Sequence, residues 1–155
     1  MSGTSSNFLL KRVVVSNYAF SELEIGMTSL KRYEFTAQRV EDFASLVDDP
    51  APVHFDEKFA KQRGFSGRIV HGLFVQSIIS GMLGNDVPGA KSVINNLNMK
   101  IHNPVLVGDF VDYRIEIVAL TAAVRAVSIS FVAEVSGLLV ISGKALCSFP
   151  TRKST

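Results

Sequence analysis

Cysteine and an excess of either charge are what this sequence most clearly lacks. Its 155 residues include one cysteine, Cys147, which cannot form an internal disulfide and therefore predicts a reducing, cytoplasmic location. The 16 Lys and Arg residues nearly balance the 14 Asp and Glu residues, so the net charge is only +2. Nucleic-acid binding normally requires a clustered excess of basic residues, and we therefore predict no nucleic-acid partner.

Long apolar segments and the motifs of several enzyme classes are also missing. The least polar segment, residues 69–84, is shorter than the roughly 20 residues that a membrane-crossing helix needs, so no membrane span is predicted. The chain contains no Gly-x-Ser-x-Gly, Gly-x-Gly-x-x-Gly or phosphate-loop motif. Asp49, His54 and Asp56 lack a second histidine or a cysteine at ligand spacing, so we predict neither a metal nor a cofactor.

The first half of the chain has the apolar spacing of helices. One predicted helix follows Thr36 as its N-cap and has four apolar residues at i, i+3, i+4 and i+7, namely Val40, Phe43, Ala44 and Val47. A second short helix is predicted over residues 56–62. Residues 72–83 contain no charged side chain, which predicts a helix that is buried on most sides.

The second half of the chain has the period of strands. In residues 126–135 apolar residues alternate with mostly smaller or polar ones, and Ser136-Gly137 marks a tight turn between the last two segments. The predicted strands are residues 30–35, 93–101, 110–120, 126–135 and 138–149. Helices followed by a run of strands indicate an α+β fold, with an antiparallel sheet packed on the uncharged helix.

Asp49 and His54 are the residues most suited to chemistry. They lie five positions apart on a segment that contains Pro50 and Pro52, and a carboxylate and an imidazole on one stiff loop can hold a water between them. The spacing also fits a purely structural interpretation, in which Asp49 ends a helix and His54 packs in the interior. Geometry is needed to choose between the two.

Three short blocks follow one another along the chain. The first is Asp-Pro-Ala-Pro-Val-His at residues 49–54. In the second, Arg-Ile-Val-His-Gly-Leu at residues 68–73 leads into Ser-Gly-Met-Leu-Gly at 80–84, and the third is Pro-Val-Leu-Val-Gly-Asp at residues 104–109. Together they resemble the MaoC-like, (R)-specific enoyl-CoA hydratase family, whose signature is Asp-x-Asn-Pro-x-His, and the resemblance extends over about residues 25–120.

The resemblance implies a single hotdog fold, in which a curved antiparallel sheet wraps around a long central helix, here residues 71–84. It also implies a homodimer with substrate tunnels at or near the interface between subunits. The domain is expected to cover residues 25–155 and to follow an N-terminal arm of residues 1–24.

The resemblance further implies a role for five residues. Asp49 and His54 match the catalytic pair that holds the attacking water. Gly72 matches the residue whose backbone N–H binds the thioester oxygen. Ser80 matches a residue whose hydroxyl supports the catalytic loop, and Leu83 matches a position that lines the acyl pocket. His71 is expected to order the start of the helix rather than to act in catalysis.

The implied reaction is the reversible addition of water to trans-2-enoyl thioesters of coenzyme A or a carrier protein, giving (R)-3-hydroxyacyl thioesters. Ala51 departs from the family pattern, which has Asn at this position, and it keeps open a non-catalytic, acyl-binding hotdog. A hotdog thioesterase is the other alternative, since one fold can carry several activities. Residues 69–84 lack the helix carboxylate that such thioesterases usually have, which favours the hydratase.

Overall fold

A computed structural model describes residues 14–150, and it confirms the α+β hotdog architecture. The parts of the predicted arm and domain at residues 1–13 and 151–155 lie outside the described residues. Five strands form the sheet: β1 (Thr28–Glu34), β2 (Val93–Ile101), β3 (Phe110–Thr121), β4 (Ala126–Val135) and β5 (Leu138–Ser148). The helices are α1 (Ala37–Val47), α2 (Pro52–Phe55), α3 (Glu57–Gln62) and α4 (Gly72–Asn85), with short 3-10 turns at Phe20–Glu22 and Ala122–Val124.

The sheet is antiparallel throughout, and its strand order is β1-β3-β4-β5-β2. Alternate side chains of the central strands β3 and β4 are buried, as the period-two pattern predicts. Ser136 and Gly137 both have positive φ, which a two-residue hairpin turn between β4 and β5 requires. A Cβ at Gly143 would overlap the Phe131 ring, so glycine at this position lets the ring lie over the neighbouring strand.

The central helix α4 packs one face against the inner side of the sheet. That face supplies five buried side chains: Phe74, Val75, Ile79, Met82 and Leu83. Tyr113 of β3 is also buried, and its hydroxyl donates a hydrogen bond to the Val75 carbonyl at 3.0 Å. This bond ties the first turn of α4 to the middle of the sheet.

The opposite face of α4 is open in the single chain. Leu73 is 70% exposed, and Ser77 and Ser80 are exposed as well. The prediction that this helix is buried on most sides is confirmed, apart from this one exposed stripe. The absence of charge on the stripe suits contact with a second surface.

The predicted strands of the second half agree with β2 to β5 to within one residue at each end. The sequence analysis missed α2, a single turn that begins with Pro52; proline suits a first helical position because its missing N–H would have no partner there. Among the described residues, no helix is both long and apolar enough to cross a membrane.

The described part of the predicted N-terminal arm contacts the domain. The Ser16 N–H donates to the Asn85 carbonyl at 2.7 Å, and the Phe20 ring lies 5.7 Å from that of Phe149. Leu23 is buried in the core. The boundary between arm and domain stays a prediction.

Candidate active site

Asp49 lies on the turn that joins α1 to α2. Asp48 ends α1 with a left-handed backbone, φ 53°, and this reversal lets the Asp49 N–H donate back to the Ala44 carbonyl at 3.0 Å. α2 begins three residues later at Pro52 and contains His54. The local sequence therefore places a carboxylate and an imidazole on consecutive short segments.

Asp49, His54 and His71 converge in the folded chain. One side-chain atom from each of the three lies within 4.8 Å of the others. The two imidazole rings are stacked, with centroids 3.6 Å apart and planes inclined by 24°. His54 and His71 are 8% and 4% exposed, whereas the Asp49 side chain is 48% exposed. The Asp49 carboxylate is thus open to solvent on one side and faces two buried rings on the other.

Backbone carbonyl groups orient both rings. His54 Nδ1 lies 2.7 Å from the Ile69 carbonyl oxygen, and His71 Nε2 lies 3.2 Å from the Asp49 carbonyl oxygen. Because a carbonyl oxygen only accepts hydrogen bonds, the proton of each neutral ring must be on that nitrogen. His54 Nε2 is then left with a lone pair that can accept a proton, which is what a general base requires.

The surroundings keep His71 neutral. Burial lowers the pKa of its imidazole, His54 lowers it further, and the carbonyl and carboxylate groups of Asp49 oppose this only in part. Its Nδ1 is buried and has no hydrogen-bond partner among the described residues. His71 therefore acts in this site as a neutral donor to Asp49.

The same three side chains carry the ligand types of a metal site, but their geometry fits one poorly. The fold supplies His71 as a second histidine, so the sequence-based argument that none is available is wrong. Imidazole lone pairs lie in the ring plane, so the lone pairs of two stacked rings lie in two nearly parallel planes and do not converge on one ion. One nitrogen of each ring is also bonded to a carbonyl oxygen. The absence of a metal stays a prediction, with this geometry in its favour.

Gly72 lies at the start of α4 and lines an apolar cavity of about 270 Å³. The His71 carbonyl accepts the N–H groups of Phe74 and Val75, while the Gly72 N–H, as the first of the helix, has no acceptor within it. The Ile101 Cδ1 atom would lie 2.9 Å from a Cβ at this position, so glycine leaves room at the cavity wall. Other lining residues are Phe65, Ile69, Val70, Pro104, Val105 and Ile141.

Asp49 lines a different cavity, of about 360 Å³, together with Ser45, Pro50 and Phe55. The substrate tunnel and the catalytic pair that the resemblance implies would together place Asp49 and His54 at the bottom of one apolar tunnel. In the single chain His54 is buried as expected, but Asp49 opens to a separate cavity. A tunnel that joins the two cavities is not formed by one copy of the described residues.

Two of the predicted site residues are not brought to the Asp49–His54 pair. Ser80 lies on the exposed face of α4, two turns beyond Gly72, and Leu83 is fully buried in the core. Their assigned roles stay predictions. The sequence analysis gave His71 only an ordering role at the helix start. Its position directly before Gly72, at the start of an uncharged helix, was the signal that could have placed it in the site.

Comparison with known proteins agrees with this arrangement. The family model of the MaoC-like domain matches residues 21–136. A 3-hydroxybutyryl-CoA dehydratase from Methylorubrum extorquens is 31% identical over 134 residues, which are 86% of this chain and 85% of that protein. An (R)-specific enoyl-CoA hydratase from Aeromonas caviae is 33% identical over 129 residues, 83% of this chain and 96% of the relative.

A solved structure is similar over the same region. The (R)-hydratase from A. caviae involved in PHA biosynthesis is 32% identical, with a TM-score of 0.80 over 83% of this chain and 98% of that one. The family match, the two relatives and this structure all indicate enzymes that add or remove water. The chain therefore belongs to the MaoC-like dehydratase family, and it is an enzyme of the hydro-lyase class, an enoyl-thioester hydratase or dehydratase.

Proposed function

We propose that this enzyme adds water to trans-2-enoyl thioesters and forms (R)-3-hydroxyacyl thioesters, with Asp49 and His54 as its catalytic pair. The observation that carries the assignment is the convergence of Asp49 and His54 next to the start of α4. Both side chains can accept a hydrogen bond from one water, because the Ile69 carbonyl requires the His54 proton on Nδ1 and so leaves a lone pair on Nε2.

The Asp49–His54 pair can carry out both proton transfers of the proposed reaction. One O–H bond of the water breaks as its oxygen bonds to C3, and the proton passes to the Asp49–His54 pair. The C2 atom of the resulting enolate then takes a proton from the pair, which restores the resting enzyme. Groups of this kind typically contribute about 10²–10⁴-fold each to the rate.

Gly72 is proposed to stabilise the charge that develops on the thioester oxygen. Its N–H has no acceptor within the helix and lies at the positive end of α4, where an oxyanion is favoured. The apolar cavity beside Gly72 would hold part of the chain attached to the carbonyl carbon. In this scheme the first N–H of α4 binds the thioester oxygen, and the segment from the α1–α2 turn to His54 holds the attacking water.

Purified protein with but-2-enoyl-CoA tests the proposal. Loss of the enoyl absorbance without release of free thiol is the expected result, and chiral analysis should find the (R) product. Thiol release would indicate a thioesterase, and neither change with any chain length would indicate a binding protein. Parallel assays with the same acyl group on a carrier protein decide which carrier the enzyme uses.

Ala51 bears directly on the binding-protein alternative. Its backbone N–H donates to Asp49 Oδ1 at 3.2 Å, a bond that any residue except proline can make at this position. The Asp49 carboxylate is therefore held although the family Asn is absent. We expect wild-type activity, and Ala51→Asn should leave that activity unchanged or raise it. Rescue of an inactive wild type by Ala51→Asn would instead support the binding role.

A homodimer is the second part of the proposal. The exposed, uncharged face of α4 and the edge strand β2, which among the described residues pairs with β5 alone, are surfaces that a second copy could cover. Such a contact would also cover Ser80, which lies on this face. A dimeric mass in light scattering at micromolar concentration is expected. Leu73→Glu should produce monomers, whereas Leu30→Glu, at an equally exposed position on the other edge strand, should not.

The cytoplasmic location belongs to the proposal as well. Cys147, on which the location rests, is buried and unpaired in the described structure.

A further inference from the structure

His71 is a buried imidazole that the proposed reaction does not use. It contacts both members of the catalytic pair without facing the substrate cavity. We infer that His71 is a positioning residue, which holds the Asp49 backbone and the His54 ring in the arrangement that binds the attacking water. This inference rests on the proposed function.

The first contact fixes Asp49 to the central helix. The turn that carries Asp49 is anchored on its own side by the bond to Ala44. The bond from His71 Nε2 to the Asp49 carbonyl, at 3.2 Å, joins that turn to the residue that caps α4. Because Gly72 follows His71 directly, the same residue sets the distance between the carboxylate and the proposed oxyanion contact.

The second contact fixes the plane of His54. The Ile69 carbonyl holds one edge of that ring at 2.7 Å, and the His71 ring lies on its face. The ring of Phe43 supports His71 in turn, with centroids 5.4 Å apart. Rotation of the His54 ring would break an in-plane hydrogen bond and a stacked contact together, so its Nε2 atom keeps one direction.

The protonation state of His71 suits this role better than a purely structural one. A neutral ring donates from Nε2 and leaves Nδ1 as a buried acceptor without a partner among the described residues. A buried, unpaired polar atom is unfavourable for folding, and a phenylalanine of similar shape would avoid it. A histidine that serves only stability would thus be a poor choice here, whereas one that positions Asp49 needs its N–H.

Two variants separate the contacts. His71→Phe keeps an aromatic face below His54 and loses the donor to Asp49; His71→Gln keeps an N–H near the position of Nε2 and loses the stack. We expect His71→Phe to lower kcat by about 10–100-fold with KM within about twofold of wild type, because small misplacements of reacting groups have effects of this size. His71→Gln should recover part of kcat.

A matched control removes another buried hydrogen bond from α4. Tyr113→Phe deletes the bond to the Val75 carbonyl, does not touch Asp49 or His54, and should leave kcat unchanged. Thermal unfolding of all three variants shows whether stability and kcat change separately. His71→Phe should unfold at or above the wild-type temperature while it loses activity.

The outcomes are distinguishable. If His71→Phe and His71→Gln both keep kcat within about twofold of wild type while Asp49→Asn is inactive, the inference is wrong and the proposed function stands. If activity and stability fall in parallel in both variants, His71 is only structural and the inference is again wrong. If wild type hydrates no enoyl thioester, the proposed function fails and this inference with it.

Discussion

The sheet and the corner where α1, α2 and α4 meet are built by different rules. In β3 and β4 each inward side chain is placed by its own strand, and neighbours such as Ile117 and Ile129 face each other by register. At the corner, Asp49, His54 and His71 come from three separate segments and meet only after the chain has folded. One region therefore follows from local pattern, while the other depends on long-range contacts.

The two regions also differ in what their polar atoms do. The inner side of the sheet is apolar, and its buried Tyr113 hydroxyl has a partner. The corner buries two imidazoles, leaves one ring nitrogen without a partner among the described residues and exposes half of a carboxylate. An arrangement that costs stability is expected where a structure serves chemistry, so changes in the two regions should have opposite signatures.

The largest expected effect is on catalysis at the corner. Asp49→Asn and His54→Ala should each lower kcat by at least about a hundredfold, because each removes a group that holds or moves the proton of the water. Circular dichroism and thermal unfolding should stay close to wild type. Asp48→Asn, the adjacent carboxylate, is the control and should retain activity. Full activity in both Asp49→Asn and His54→Ala would rule out the mechanism.

A large effect on stability alone is expected in the sheet. Ile129→Ala removes most of a fully buried side chain from β4 and should lower the free energy of unfolding by about 2–5 kcal/mol. Activity per folded molecule should remain near wild type at low temperature. Denaturant titration measures the stability and an assay of the same preparation measures kcat. A hundredfold loss of kcat in folded protein would show that the sheet and the corner do not act independently.

A smaller effect is expected at Gly72. Gly72→Ala adds a methyl group 2.9 Å from Ile101 Cδ1 and also limits the approach of the thioester. We expect kcat/KM to fall by roughly tenfold, less than the loss of about 10²–10³-fold that follows removal of a whole oxyanion contact. Ile101→Val added to this variant relieves the first effect but not the second. We therefore expect the double variant to stay impaired, and full recovery would show that crowding by Ile101 was the whole cause.

The smallest effect concerns the pH dependence of stability. The pKa of His71 in the folded chain lies below its ordinary value of 6.5, chiefly because of burial, with His54 and Asp49 as the titratable groups that face it. Below pH 6.5 the His71 side chain is protonated in the unfolded chain but stays neutral in the folded chain. The contribution of His71 to the free energy of unfolding is therefore complete above pH 6.5 and is lost as the pH falls toward the pKa in the folded chain. His71→Phe should unfold with a weaker pH dependence between about pH 7 and pH 5. Equal slopes in both proteins would contradict the assignment.

Much of the fold could be predicted from the sequence because its signals are local. The strands predicted in the second half agree with β2 to β5 to within one residue, and Thr36 capped α1 as expected, accepting the Arg39 N–H. The one-turn helix α2 was missed, since four residues are too few to show a helical period. The three motif blocks indicated the family, which the comparisons confirm.

By itself, then, the sequence determined the fold class, the family and the chemical types in the site, because residue type, spacing and period are properties of the chain. Only the tertiary structure decided that His71 stacks on His54, that Asp49 is half exposed and that Ser80 faces outward. These are distances and directions between segments that lie far apart in the sequence, and they depend on how α4 packs on the sheet. No local pattern encodes such packing, since it arises from many weak contacts that form together when the core closes.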